Sequence, residues 1–176
     1  MPREVLLVLI IVASTLLALY LLTFIVALIF VLSFKKIMKQ HSRSLTILLT
    51  TKRENILKIF NIIKSLGIEV DDSIFGKLNS IDPNIFMTPE SAECKATSDE
   101  LSILRDRALL VSASNLDLGK HNEFNMLIEH ILEIDKVYRI KFAMYNADVL
   151  GYNYWINFLP TRFIFKLFRC KEKELI

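Results

Sequence analysis

Hydrophobic side chains are arranged in three ways along this chain, and each arrangement predicts a different element. From Val5 to Phe34 they are continuous: thirty residues without a charge, a Gly or a Pro, interrupted only by Ser14, Thr15, Thr23 and Ser33. A bilayer core needs ~20 helical residues, and thirty extend to roughly 45 Å at ~1.5 Å per residue, so the run predicts a transmembrane helix. From Leu45 onward they are periodic. Leu45, Leu48, Leu49, Ile56, Ile59, Phe60, Ile63 and Leu66 recur at helical spacing, with no Gly or Pro between Val5 and Leu66. The anchor is therefore expected to continue as one long helix, ended by Gly67. The third arrangement is a heptad, the coiled-coil repeat. Phe124, Ile131, Tyr138, Tyr145, Tyr152 and Leu159 are seven apart, and Ile128, Phe142, Val149 and Ile156 fall four after each of them except Ile131 and Leu159. This stripe predicts a helix from about Asn122 to Phe158 that must be buried against other long helices.

Between these segments, 67–88 reads as loop, with Asp71-Asp72-Ser73, Gly76, Asp82-Pro83 and Thr88-Pro89 as turn or cap signals. A further helix opens either at Thr88, with Pro89 in its first turn, or at Thr97, whose capping-box partner is Glu100. It carries Leu101, Leu104, Ala108 and Val111 and stops at the Asn115–Gly119 interruption. No strand alternation of comparable length competes. The expected fold is all-α: an N-terminal transmembrane helix over 1–34 continuing into a cytoplasmic antiparallel bundle of three to four long helices over 35–176.

Composition sharpens this picture. The chain is 53% hydrophobic and 23% charged over 176 residues, and the continuous run accounts for the excess. A cleaved signal peptide would need a basic start, a run of ~7–15 residues and a small-residue cleavage site; here Arg3 is offset by Glu4 and the run is about twice too long. Lys35, Lys36, Lys39 and Arg43 crowd the far end of the run, so the positive-inside rule puts the N-terminus outside and the rest in the cytoplasm. Cys94 and Cys170 are then free thiols in a reducing compartment. Residues 35–66 carry eight basic and one acidic side chain, residues 67–100 two basic and eight acidic. Basic residues beside a membrane act as topology determinants and attract anionic lipid; no zinc finger, RNP motif or basic zipper accompanies them, which argues against nucleic acid.

Catalytic chemistry is not encoded in any recognisable spacing. His41, His121 and His130 are scattered, neither Cys has a zinc-ligand neighbour, and His130 lacks the carboxylate three before it that a di-iron bundle uses, Leu127 standing there instead. Four Gly are too few and too dispersed for a phosphate loop. Glu129, Glu133 and Asp135 read as solvated helix-surface charge. The expectation is a chain without enzymatic activity, cofactor, metal or small-molecule substrate. The tail has a surface signature: Arg162, Lys166 and Arg169 share one helical face, and Phe163, Ile164, Leu167 and Phe168 fill another. Either it caps the bundle or it contacts the membrane. If three long helices simply alternate in direction, Pro160 lies at the distal end and the cap is the expected role.

In the last third of the chain Tyr145-Asn146 is repeated seven residues later as Tyr152-Asn153, followed by Ile156 and by Pro160, and then by Ile164, Lys166, Leu167, Phe168 and Lys171. Upstream stand Asp117-Leu118, Phe124 and Leu127, an aspartate-leucine pair and a Phe-x-x-Leu. With these motifs the residues from about 114 to 176 resemble the LemA family of bacterial membrane-anchored helical proteins. The chain departs from the family's pattern at Asn115-Leu116, Leu159-Pro160 and Phe142. The resemblance implies a divergent member with an N-out anchor, a cytoplasmic helical bundle and no established enzymatic activity. On their own chemistry, Tyr145 and Tyr152 belong to the core seam, while Asn146 and Asn153 form a flanking stripe placed to hydrogen-bond between helices and fix register, or else to dock a partner. The expected function is a scaffold or interaction module on the bilayer with an unidentified protein partner; the alternative is a membrane-coupled sensor.

Overall fold

The computed structural model describes residues 2–69, 71–89, 91–159 and 161–176. Among them every regular element is helical: α1 spans Arg3–Ser65, α2 Asp72–Ser80, α3 Ala92–Ser114, α4 Leu116–Gly119, α5 Asn122–Asn157 and α6 Arg162–Leu167, with a 3₁₀ turn at Pro83–Met87. α1 is the long uninterrupted helix expected. Gly67 ends it at φ 72°, with its N–H on the Lys64 carbonyl and the Ile68 N–H on the Ile63 carbonyl. This paired closure satisfies carbonyls that a helix end leaves open, and its left-handed residue favours Gly. The heptad helix likewise begins and ends within a residue of its expected bounds.

The connection 67–88 differs from the loop expected. Asp71 is an N-cap, its carboxylate accepting from the Ser73 N–H at 2.9 Å, and Ile74 and Leu78 one turn apart are buried beneath α2. The turn-forming cluster thus opens a helix, because an Asp side chain that closes an Asx turn also satisfies a helix's first donors. Thr88 does not start α3, nor does Thr97. Ser91 caps it, accepting from the Cys94 N–H at 3.1 Å, while Thr97 is interior and donates to the Glu93 carbonyl. The 115–119 interruption is a single helical turn capped by Asn115, which accepts from the N–H groups of Asp117 and Leu118. His121 Nδ1 then accepts from the Phe124 N–H to open α5.

The chain divides into two compact units, one of Met1–Lys39 with Ala147–Leu175 and the other of Gln40–Asn146 with Ile176. This grouping cuts the chain differently from a boundary at residue 34, because α1 and α5 each contribute to both units. In the second unit, Ile56, Ile59, Phe60 and Ile63 of α1, Leu101 and Leu104 of α3, and Phe124, Ile128 and Ile131 of α5 form one core with Leu78, Phe86 and Leu118. The contacts there fix helix directions. Lys52 meets Asp135 and Asn55 meets His130, so α5 runs antiparallel to α1; Arg105 meets Asp135 and Ser98 meets Tyr138, so α3 is antiparallel to α5 and parallel to α1. A simple alternation of long helices is overturned, because α2 first leads the chain back along α1, through Arg53 on the Leu78 carbonyl and Phe60 against Phe75.

In the first unit, α1 residues from Phe24 onward meet the end of α5 and α6. Phe30 stacks on Trp155 with ring centroids 4.6 Å apart, and Phe24 meets Phe165 at 5.9 Å. Gly151 permits the closest approach: a Cβ there would lie 2.5 Å from the Phe34 ring. Ala27, Val31, Val149, Tyr152, Ile156 and Phe165 are buried. From Val5 to Leu22, by contrast, every Leu, Ile and Val is exposed.

Candidate functional site

Two constellations stand out. The first interrupts the core seam at Asp135, the position four after Ile131 where the heptad lacks an apolar residue. Lys52, which falls on the apolar face of α1 between Leu49 and Ile56, places its Nζ 2.7 Å from Asp135 Oδ1 and donates to Ser102 Oγ at 2.9 Å. Arg105 of α3 pairs with Asp135 through Nη1 and with Asp106 at 2.6 Å. The Lys52 side chain is 3% exposed and that of Asp135 16%, so Asp135 is not the solvated surface charge expected. Helix register explains the difference: the position faces inward, and two cations from neighbouring helices offset its desolvation. Burial pushes the Lys52 ammonium below its ordinary pKa, and the hydrogen bond to Asp135 acts the other way. Both carboxylate oxygens are engaged by cations, which suits a polar latch within the core more than proton transfer to a substrate.

An open groove of about 410 Å³ lies beside this cluster, lined by Lys95, Ser98 and Asp99 of α3, by Tyr138, Arg139 and Phe142 of α5, and by Ile176. Burial raises the Tyr138 phenol above its ordinary pKa, with a hydrogen bond to Ser98 opposing. Among the described residues no three His, Cys, Asp or Glu side chains converge as metal ligands.

The second constellation is the Tyr-Asn repeat. Tyr145 and Tyr152 are buried, as their seam positions require. The asparagines do not bridge helices; each grips the backbone of one residue following α6. Asn153 donates to the Lys173 carbonyl at 2.8 Å and accepts from the Lys173 N–H at 3.0 Å. Asn146 holds Ile176, the last residue of the sequence, through an analogous pair: it donates to the end-of-chain oxygen at 3.1 Å and accepts from the Ile176 N–H at 2.9 Å. Asn157 adds a bond to the Glu172 carboxylate at 2.8 Å. A primary amide presents a donor and an acceptor side by side, matching the N–H and C=O of one extended residue. The sequence stripe was legible, but its partner was not.

The other positions through which the resemblance is drawn are placed as follows. Leu118 and Phe124 are core residues, Leu127 packs against that core, and Asp117 is exposed in the first turn of α4. Pro160 lies outside the described residues. Arg162, Phe163, Lys166, Leu167, Phe168 and Arg169 are exposed on or just after α6, whose buried Phe165 rests against Phe24. The tail helix therefore lies on the apolar segment of α1, where a distal cap was expected. Cys170 sits 4.0 Å from Lys35 Nζ, and that ammonium is 5.8 Å from the Tyr152 ring. Comparison with protein-family models, with characterised proteins and with solved structures finds no match.

Proposed function

We propose that this is a single-pass membrane protein of LemA-like type, N-terminus outside, whose cytoplasmic antiparallel helical bundle is a scaffold or interaction module without enzymatic activity. One observation carries the membrane part. The most apolar 18-residue window of α1 has none of its residues buried by the rest of the chain. A core helix of a soluble protein with that composition would be covered, and the run is about twice the length of a signal-peptide core. Aromatic Tyr154, Trp155, Phe158, Phe163 and Phe168 together with Arg162, Lys166 and Arg169 give the first unit the side-chain mixture of a membrane–water interface. The Tyr-Asn repeat and the aspartate-leucine pair support the LemA-like assignment.

A second reading, a membrane-coupled sensor, is favoured by the continuity of α1 from Arg3 to Ser65, which puts residues of both units on one helix. Two measurements test the primary reading. The full chain in bacterial membranes is expected to resist extraction at alkaline pH. In spheroplasts, a membrane-impermeant maleimide is expected to label Cys170 only after permeabilisation, but to label a Glu4→Cys variant directly. Release at alkaline pH, or labelling of Cys170 in intact spheroplasts, would refute the proposal.

A further inference from the structure

The apolar run of α1 is longer than a bilayer needs. Its thirty residues rise roughly 45 Å, so holding them all in a ~30 Å hydrocarbon core would demand a tilt of about 48°, beyond the ~0–40° range of membrane helices. Part of the run must lie outside the hydrocarbon, and its neighbours show which part. From Val5 to Leu22, ~27 Å of helix, no Leu, Ile or Val is covered. From Phe24 onward protein flanks the run. Gly151 abuts Phe34, Trp155 stacks on Phe30, and Phe165 of α6 is buried against Phe24. The chain therefore climbs α1 through the end of α5, reaches furthest at α6, and turns back to put Cys170 4.0 Å from Lys35 Nζ. α6 is the tip of the first unit nearest the uncovered run. It carries Arg162 and Lys166 one turn apart, with Arg169 just beyond; all three are exposed, and among the described residues no carboxylate pairs with them. Beside this basic stripe, Phe163 and Leu167 form an exposed apolar one. Arg169 adopts φ 55°, a left-handed conformation that favours Gly, so its guanidinium stands there at a cost to the fold.

We propose that the hydrocarbon ends near Thr23, about 18 Å before Lys35, and that α6 at this level binds anionic phospholipid headgroups. Arg162, Lys166 and Arg169 meet the headgroup phosphates, while Phe163 and Leu167 enter the acyl boundary. Three unpaired cations at the level of Phe24 are costly in hydrocarbon and favoured at a negatively charged surface, which sets both the depth and the lipid. The stretch 24–34 then serves as packing surface for the bundle tip, with Ala27 and Val31 buried. This inference rests on the membrane-spanning reading above and adds the level of its inner edge. Release of the chain at alkaline pH would sink that reading; resistance to extraction with failure of the following test would sink this inference alone.

Lipid-selective quenching supplies the test. The full chain with Trp155→Phe and Phe163→Trp carries its only indole on α6. It is reconstituted into vesicles of phosphatidylcholine with a fixed share of phosphatidylglycerol, bromine being placed on one lipid class at a time. At equal share, brominated phosphatidylglycerol is expected to quench more than brominated phosphatidylcholine, corresponding to local enrichment of at least about threefold. Bromines nearest the headgroups should quench more than those near the chain ends. Arg162→Gln, Lys166→Gln and Arg169→Gln together should equalise the two lipids while circular dichroism and resistance to alkaline extraction are retained. Without those three changes, salt at ~1 M, where the screening length falls to ~3 Å, should weaken the preference in the same way. Equal quenching by both lipids at low salt, or a preference that survives the loss of the three cations, would overturn the proposal. So would strongest quenching from the bilayer centre, which would put the hydrocarbon edge at Phe34. Absence of quenching by either lipid would equally overturn it, leaving the tip covered by protein such as a second copy.

Discussion

Two stretches of α1 are comparably rich in Leu and Ile and meet opposite fates. From Val5 to Leu22 apolar side chains surround the helix and none of the Leu, Ile or Val is covered. From Leu45 to Ile63 most of them share one side, with Ile47 exposed on the other, and Leu45, Leu49, Ile56, Ile59, Phe60 and Ile63 are each at most 1% exposed. The difference lies in pattern rather than amount. A helix apolar all round has no preferred face and is suited to a medium apolar on every side, whereas a stripe selects neighbours and tolerates charge elsewhere on the helix. The second stretch even buries Lys52 and Asn55, because α3 and α5 bring Asp135, Ser102 and His130 to meet them.

Charge introduced into the first stretch should have the largest effect. On the proposed span, Leu16→Arg with Leu19→Arg adds two cations at ~2.5–3.5 kcal/mol each near its centre, so the chain should leave the membrane fraction while the Gln40–Asn146 unit keeps its helical circular dichroism. In the second stretch, removing the counter-charge matters most. Asp135→Ala leaves Lys52 and Arg105 facing each other across the core and should cost about 3 kcal/mol in denaturant unfolding, whereas Lys52→Met leaves the Arg105–Asp135 pair and should cost clearly less. Where α1 meets α5, Gly151→Ala drives a Cβ into the Phe34 ring and should cost about 1–3 kcal/mol, read as a lower melting temperature.

The smallest expected effect is a pH dependence. Lys52 has a lowered pKa in the folded state, so between that value and the ordinary lysine pKa the unfolded chain binds more protons. Stability from this group therefore rises with pH through that window and is lower on its acid side. Tyr138, raised by burial, works in the opposite direction above its own ordinary value. The lysine contribution is isolated as the difference in melting temperature between the native chain and Lys52→Met, which should shift in favour of the native chain from pH 7 to pH 10.

Periodicity made much of the fold legible. α1 and α5 could be bounded because each is long, lacks internal Pro and ends at a recognisable signal. α2 was concealed because Asp71-Asp72-Ser73 is both turn chemistry and cap chemistry, and the Ile74, Leu78 and Ile81 spacing that decides between them covers barely two turns. The polar latch left a visible trace in each helix: a charge at an apolar seam position at Lys52 and another at Asp135. Only register, set by α2 leading the chain back along α1, shows that these two gaps coincide. The partners of Asn146 and Asn153 were beyond reach for a further reason. An extended segment held through its backbone carries no side-chain pattern to find.

Trp155 is the only tryptophan, and it stacks on Phe30 near the end of the apolar run. It therefore reports directly on whether that run lies in lipid. With the full chain reconstituted into vesicles containing lipids brominated at different depths of the acyl chain, Trp155 fluorescence should be quenched, most strongly by bromines nearest the headgroups. Fluorescence indifferent to brominated lipid at every depth would contradict the membrane-spanning account of α1.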